Sequence, residues 1–230
     1  MRIGGLQKVS LIDYPGKISA IVFTQGCNYR CPFCHNKELV YPEFYEEPIP
    51  EEDVLSFLEK RKGKLDAVVI TGGEPTIQKD LPQFIKKIKS MGYLIKLDTN
   101  GSNPETLAEL LKKSQIDYVA MDVKAPPSKY DTLTGVETDT KKTQKSIKTI
   151  IASGIPHEFR TTVMRPLLKP ADVLSIAKEI KGARLYALQK YASPKDKAGS
   201  HSSYTSFTDE ELARLKDEVK NRYDVDCLIR

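Results

Sequence analysis

Short runs of β-branched and aliphatic residues alternate along this chain with stretches whose apolar positions recur every three or four residues. The first pattern predicts buried strands at residues 18–24, 66–71, 93–99, 117–123, 157–164 and 184–189. The second predicts helices between them. Residues 51–62 follow Pro50 and place Val54, Leu55 and Leu58 on one face. Asp80 is a candidate cap for the next helix, with Leu81, Phe84, Ile85 and Ile88 turned inward and Gly92 as its stop. Asn103 and Pro104 mark another start, ahead of Leu107, Leu110 and Leu111. Residues 139–153 end at Gly154, and residues 171–180 form a further amphipathic stretch. Thr208 with Glu211 spells a capping box for a last helix that runs to residue 223.

Strands that alternate with helices in this way predict a parallel sheet. The chain has 230 residues and about six such units, whereas a full eight-unit barrel typically needs about 250 residues. The expected fold is therefore α/β, a partial (β/α)6 barrel with helices outside. It forms one domain over residues 1–230, with a core at 18–190 and a C-terminal helix and strand within 208–230. Two connections, 36–50 and 191–207, are long enough to expect a functional role.

Composition narrows the class. A hydrophobic content of 40% supports one sizeable core, and the longest apolar runs are of strand length. No transmembrane helix is expected, and residues 1–10 lack the apolar stretch of a signal peptide, so the expected compartment is cytoplasmic. The net charge of +5 comes from lysines spread over helix faces, not from a basic stripe with interleaved aromatics. Neither a nucleic acid nor a membrane is expected as a partner.

The chemistry is concentrated at strand ends. Cys27, Cys31 and Cys34 follow the first strand; Thr71-Gly72-Gly73-Glu74-Pro75 follows the second. Asp98 and Thr99 end the third, Asp122 and Lys124 the fourth, Arg160 and Thr162 lie on the fifth, and Gln189 and Tyr191 end the sixth. In parallel α/β folds the C-terminal rim is where active sites are built, so these segments should converge. The C-x3-C-x2-C spacing suits three thiolate ligands of an iron–sulfur cluster and leaves one iron of a [4Fe–4S] cube open. A structural zinc site and a Cys31–Cys34 dithiol are the other chemistries these residues admit. His35, adjacent to Cys34, is poorly placed as a fourth zinc ligand. Each remaining residue also has a plain structural reading. Asp98 and Asp122 could cap helices, Lys124 could be solvated, and Arg160 could pair with a buried acid. His157 and His201 could be ordinary polar residues, Cys227 a small core residue, and Tyr41, Phe44 and Tyr45 loop packing.

CNYRCPFC followed by TGGEP resembles the cluster loop and second motif of the radical SAM superfamily, in which an aromatic residue, here Phe33, usually precedes the last cysteine. SLIDYPGK, DTNG and MDVK extend the resemblance, over residues 1–190, to activating enzymes of glycyl radical enzymes. The opening is especially similar to activators of anaerobic ribonucleoside-triphosphate reductase. The resemblance implies a [4Fe–4S] cluster on Cys27, Cys31 and Cys34, and S-adenosylmethionine as cofactor. Phe33 and His35 would lie by the adenine, and Gly72, Gly73, Glu74 and Pro75 by the methionine end. Asp98, Thr99, Asp122 and Lys124 would lie near the carboxylate, the ribose or a monovalent cation. Some relatives carry a ribose-contacting histidine near the sixth strand; LQKYASP has none, and Gln189 or Tyr191 stands in its place. The implied partners are a glycyl radical enzyme, docking at 36–50 and 191–207, and reduced flavodoxin or ferredoxin as electron donor. A radical SAM enzyme acting on a small molecule, as in 7-carboxy-7-deazaguanine synthase, and a non-catalytic electron-transfer module are the competing readings.

Overall fold

The computed structural model describes residues 1–192 and 204–230. Its strands are β1 (Ile3–Ser10), β2 (Ser19–Thr24), β3 (Ala67–Gly72), β4 (Leu94–Thr99), β5 (Tyr118–Asp122), β6 (His157–Val163), β7 (Tyr186–Lys190) and β8 (Cys227–Ile229). They form one sheet in sequence order. β1 runs antiparallel to β2, and every later pairing is parallel. β1 and β8 are the two edges and do not pair, so the sheet is open, as expected for a partial barrel. The helices are α1 (Lys37–Val40), α2 (Glu51–Glu59), α3 (Leu81–Ser90), α4 (Pro104–Lys112), α5 (Tyr130–Thr134), α6 (Thr140–Ser153), α7 (Pro170–Glu179) and α8 (Asp209–Tyr223).

The parallel strands are buried on both faces, which is why they read as continuous apolar runs. Period-two alternation separates the faces. Val22, Val68, Ile70, Val119 and Met121 pack with Val54, Leu58, Phe84 and Ile88 of the helices. Ile21, Ala67, Val69 and Ala120 form a smaller cluster on the opposite, concave face, together with Tyr14 and Tyr118. The same parity carries Lys96 and Asp98 of β4, Asp122 of β5, and Glu158 and Arg160 of β6 into that concave face. Helix ends follow the sequence signals in most places. Asp139 accepts from the Lys141 N–H, Gly154 closes α6 with a φ of 72°, and Thr208 and Glu211 make the capping box of α8.

Three expectations need correction. β1 was not expected as a strand: Gly4, Gly5, Gln7 and Lys8 break the apolar alternation, and its pairing with β2 supplies what its composition does not. α2 ends at Glu59 rather than at residue 62. Asp80 stands at the start of α3 without capping it, because its carboxylate pairs with the N-terminal amine of Met1 at 2.5 Å. Among the described residues no helix is long and apolar enough to cross a membrane.

The floor of the concave face is closed by one ion pair. Glu158, fully buried, receives both Arg230 Nη1 and Nη2 at 2.7 Å and the Tyr118 hydroxyl at 3.2 Å. Removing the guanidinium leaves a buried carboxylate with only the tyrosine. Arg230→Ala is expected to lower unfolding free energy by about 2 kcal/mol in urea titrations, while Glu158→Gln with Arg230→Met recovers most of that loss.

Candidate functional site

The cysteine loop leaves β2 through Gly26, whose φ of 99° favours glycine. Three neighbours hold the loop. The Gly26 carbonyl accepts from the Glu74 N–H at 2.8 Å, the Gly26 N–H donates to the Leu39 carbonyl at 2.7 Å, and the Arg30 N–H donates to the Thr134 carbonyl at 2.7 Å. The Arg30 side chain folds back onto the Cys27 and Tyr29 carbonyls at 2.7 and 2.8 Å. Tyr29 packs edge-on against Tyr130, with ring centroids 6.4 Å apart.

The Thr71–Pro75 turn fits against this loop at its tightest point. A Cβ on Gly73 would stand 2.0 Å from the Gly26 carbonyl oxygen, and Gly72 has a φ of 111°. Glu74 is fully buried and does not project freely into the cavity beside it. Its carboxylate accepts from the Thr76 N–H at 3.1 Å and the Thr76 hydroxyl, from the Thr99 hydroxyl at 2.7 Å, and from the Asn100 N–H at 2.6 Å. Burial pushes its carboxyl above the usual range, against the pull of these donors.

A chain of alternating charge lies beneath the rim. Lys96 meets Asp98 at 2.9 Å; Arg160 bridges Asp98 at 3.0 Å and Asp122 at 2.7 Å; Lys124 meets Asp122 at 2.8 Å. Burial opposes the charge on Asp122, yet Arg160 and Lys124 hold its carboxyl well below its ordinary range. Asp122 in turn raises Arg160 and Lys124. These two aspartates therefore serve as ion-pair partners, not as helix caps, and Lys124 is not merely solvated.

One cavity of about 340 Å³ collects these segments. Cys27, Cys31, Cys34, Phe33, His35, Gly72, Gly73, Glu74, Asp98, Thr99, Asp122, Lys124 and Gln189 all line it. Pro75 does not; it is buried at the start of a short 3-10 turn behind Glu74. The sequence reading omitted Lys96 and named Asn100 only within DTNG, without a role. Lys96 was accessible from its spacing, since it lies two residues before Asp98 on β4 and so shares its face. Asn100 was marked by the DTNG motif, but its contacts were not: its amide reaches Asn28 Oδ1 at 3.0 Å and Cys27 Sγ at 4.0 Å because two strand ends are adjacent. His35 Nε2 lies 2.8 Å from the Ala192 carbonyl, and its ring is 6.0 Å from that of Tyr191. His157 is a buried structural residue, bonded to the Ile155 carbonyl and the Arg184 N–H. Cys227 is half-buried against the core. His201 and most of the 191–207 connection lie outside the described residues.

Burial pushes the Cys27 thiol up to about 12 and raises Cys31 as well. The loop thus presents soft sulfur donors that give up protons when a metal binds. Among the described residues no three His, Cys, Asp or Glu side chains converge to hold a single metal ion. Cys27, Cys31 and Cys34 all line the one cavity. Three thiolates are the donor set an iron–sulfur cluster uses, and the residues present fit that group.

Comparison with known proteins places the site in context. The family described as the Radical SAM superfamily matches residues 21–180. A Methanocaldococcus jannaschii protein, provisionally named a glycyl-radical enzyme activating enzyme, is 34% identical over 233 residues, 99% of this chain and 95% of the relative. The 7-carboxy-7-deazaguanine synthase of Thermoplasma acidophilum is 32% identical over 116 residues, 50% of this chain and 52% of that enzyme. The crystal structure of Streptococcus suis SuiB superposes with a TM-score of 0.71 at 18% identity, covering 91% of this chain and 48% of SuiB.

The contact between Gly73 and Gly26 gives a direct test of the site's packing. Gly73→Ala sets a methyl group against backbone that has no side chain to yield, so the turn must move off the cysteine loop. The expected loss is about 1–3 kcal/mol of stability by thermal or denaturant unfolding, whereas Gly5→Ala, whose added Cβ meets only Phe23 at 3.4 Å or more, should cost less.

Proposed function

Because the chain belongs to the Radical SAM superfamily, we propose that it is an activating enzyme for a glycyl radical enzyme, with anaerobic ribonucleoside-triphosphate reductase as its substrate protein. The observation that carries this reading is the coverage of two similarities. The similarity to the provisionally named activating enzyme runs end to end, whereas that to the deazaguanine synthase spans half of each chain. The end-to-end match includes the β1–β2 hairpin and the residues after β7, which a shared barrel core alone would not require.

In this reading Cys27, Cys31 and Cys34 hold a [4Fe–4S] cluster. Such a cluster, once reduced, would supply the one-electron chemistry that cleaves S-adenosylmethionine and the radical hydrogen abstraction directed at the partner's glycine. This chain's residues bind, orient and exclude water. Phe33 and His35 offer an apolar and an aromatic wall for the adenine. Gly72 and Gly73 let backbone approach the methionine end without a side chain between. Glu74 acts at one remove: its hydrogen bonds to Thr76, Thr99 and Asn100 fix two strand ends relative to each other. Arg160 and Lys124 line the cavity and offer cationic groups to a carboxylate-bearing ligand. Gln189, where some relatives place histidine, offers its amide to the ribose. Reduced flavodoxin or ferredoxin is the proposed electron donor.

Anaerobic reconstitution with iron and sulfide, followed by reduction and assay for 5′-deoxyadenosine, tests the chemistry. Product is expected from the native protein and background only from Cys31→Ala. Electron paramagnetic resonance of the reductase mixed with the reduced enzyme tests the activase reading: a glycyl radical signal is expected. Formation of 7-carboxy-7-deazaguanine in place of that signal would favour the small-molecule reading.

A further inference from the structure

Asn100, the first residue after β4, is buried in the wall of the cavity. Both polar atoms of its side chain are committed. Oδ1 accepts from the Ser102 N–H at 2.9 Å, the turn an asparagine makes with the backbone two residues on. Nδ2 faces Asn28 Oδ1 at 3.0 Å and Cys27 Sγ at 4.0 Å. The amide fits one way round. Its oxygen meets a donor, and its nitrogen, with two hydrogens, meets two acceptors; the reversed amide would set nitrogen against the Ser102 N–H.

The backbone around it is pinned from several sides. The Asn100 N–H donates to Glu74 Oε2 at 2.6 Å. The Thr99 hydroxyl donates to Glu74 Oε1 at 2.7 Å and accepts from the Gly101 N–H at 3.1 Å. The Gly101 carbonyl accepts from the Ser146 hydroxyl of α6 at 2.8 Å, and the Asn103 amide donates to the Thr76 carbonyl at 2.8 Å. The aim of the Asn100 amide at the cysteine loop is thus imposed by the fold, before any group binds at the sulfurs. It grips the loop at two successive residues, Cys27 and Asn28.

We propose that Asn100 is a positioning residue for the iron–sulfur cluster: its amide donates a hydrogen bond to the Cys27 sulfur and raises the cluster's reduction potential. The inference rests on the cluster reading above. A sulfur that holds iron is a thiolate. A charged acceptor draws its donors closer and binds them more strongly than a neutral one, so an amide already aimed at the sulfur closes on it. The Tyr29 N–H approaches the same sulfur at 3.4 Å, which places Cys27 between one backbone donor and one side-chain donor. Reduction adds negative charge to the cluster and its sulfur ligands. A donor at such a sulfur stabilises the reduced form more than the oxidised form, and the potential rises. Asn100 is the donor of the two that a substitution can remove.

The test uses the full-length protein reconstituted anaerobically with iron and sulfide, without S-adenosylmethionine or a partner. Redox titration followed by electron paramagnetic resonance compares the native protein with Asn100→Asp and Asn100→Ala. Aspartate keeps the shape and the acceptor for Ser102 but has neither N–H; alanine removes the whole amide. Iron and sulfide content should match the native protein. At the poise that half-reduces the native cluster, the ratio of reduced to oxidised cluster should fall roughly tenfold in each variant, which is 59 mV for one electron. Electron–nuclear double resonance of the reduced cluster in light and heavy water should show an exchangeable proton coupling in the native protein that both variants lack. Native potentials in fully loaded variants overturn the proposal, and so does a coupling that persists in both. Variants that fail to load iron, or that melt early while their loaded fraction titrates at the native potential, also overturn it, because Asn100 would then only support the loop. Where one variant alone loads, its potential decides. If the native protein itself forms no [4Fe–4S] cluster, the cluster reading fails and this inference with it. A native cluster with lowered potentials in the variants supports both.

Discussion

The candidate site depends on one buried carboxylate. Glu74 sits where β3 ends, in a position with no solvent, and a carboxylate there must be satisfied by donors from the protein. Those donors come from its own turn and from the end of β4, so satisfying Glu74 fixes the distance between the two strand ends. Its N–H in turn donates to the Gly26 carbonyl, which ties the same turn to the cysteine loop. Gly73 allows that approach because a side chain at that point would overlap the Gly26 carbonyl. Three loops after three strands therefore move together or not at all.

The concave face shows the same principle with charge in place of hydrogen bonds. Burying Asp98, Asp122, Arg160, Lys96 and Lys124 singly would each carry a large desolvation cost. Arranged in alternation, each charge has an opposite neighbour within 3.0 Å. The convex face bears the folding burden, with Val22, Val68, Ile70 and Val119 packed against helix side chains. That division lets the inner surface remain polar enough for a zwitterionic ligand.

Much of this was legible in the sequence because parallel strands read as apolar runs and their C-terminal ends as clusters of glycine, cysteine and charge. The strand map and the convergence on one rim followed from these two facts. The parts that were not legible depend on contacts distant in sequence. Asp80 has the composition of a cap, but the N-terminal amine of Met1 is nearer to its carboxylate than the helix N–H groups are useful. β1 has the composition of a loop and becomes a strand because β2 offers it a partner. Arg160 admitted two sequence readings; the pairing of Asp122 with Arg160 across β5 and β6 decides for the ion-pair chain. Pro75 was grouped with its motif, yet a motif's residues need not face the same way once the turn reverses direction.

The two poles of the barrel also divide the work of stability and chemistry. At the floor, Glu158 is closed off by Arg230 and Tyr118, and Tyr14 seals the same end from the β1–β2 turn. At the rim, Arg160 and Lys124 pair with Asp98 and Asp122 along the cavity lining. A polar ligand at the rim would meet these charged groups, whereas one at the floor would meet a pair already neutral and fully bonded. Entry from the rim is favoured by the open cavity there. A reactive species formed there would be separated from solvent on the floor side by packed aromatic rings and a closed ion pair.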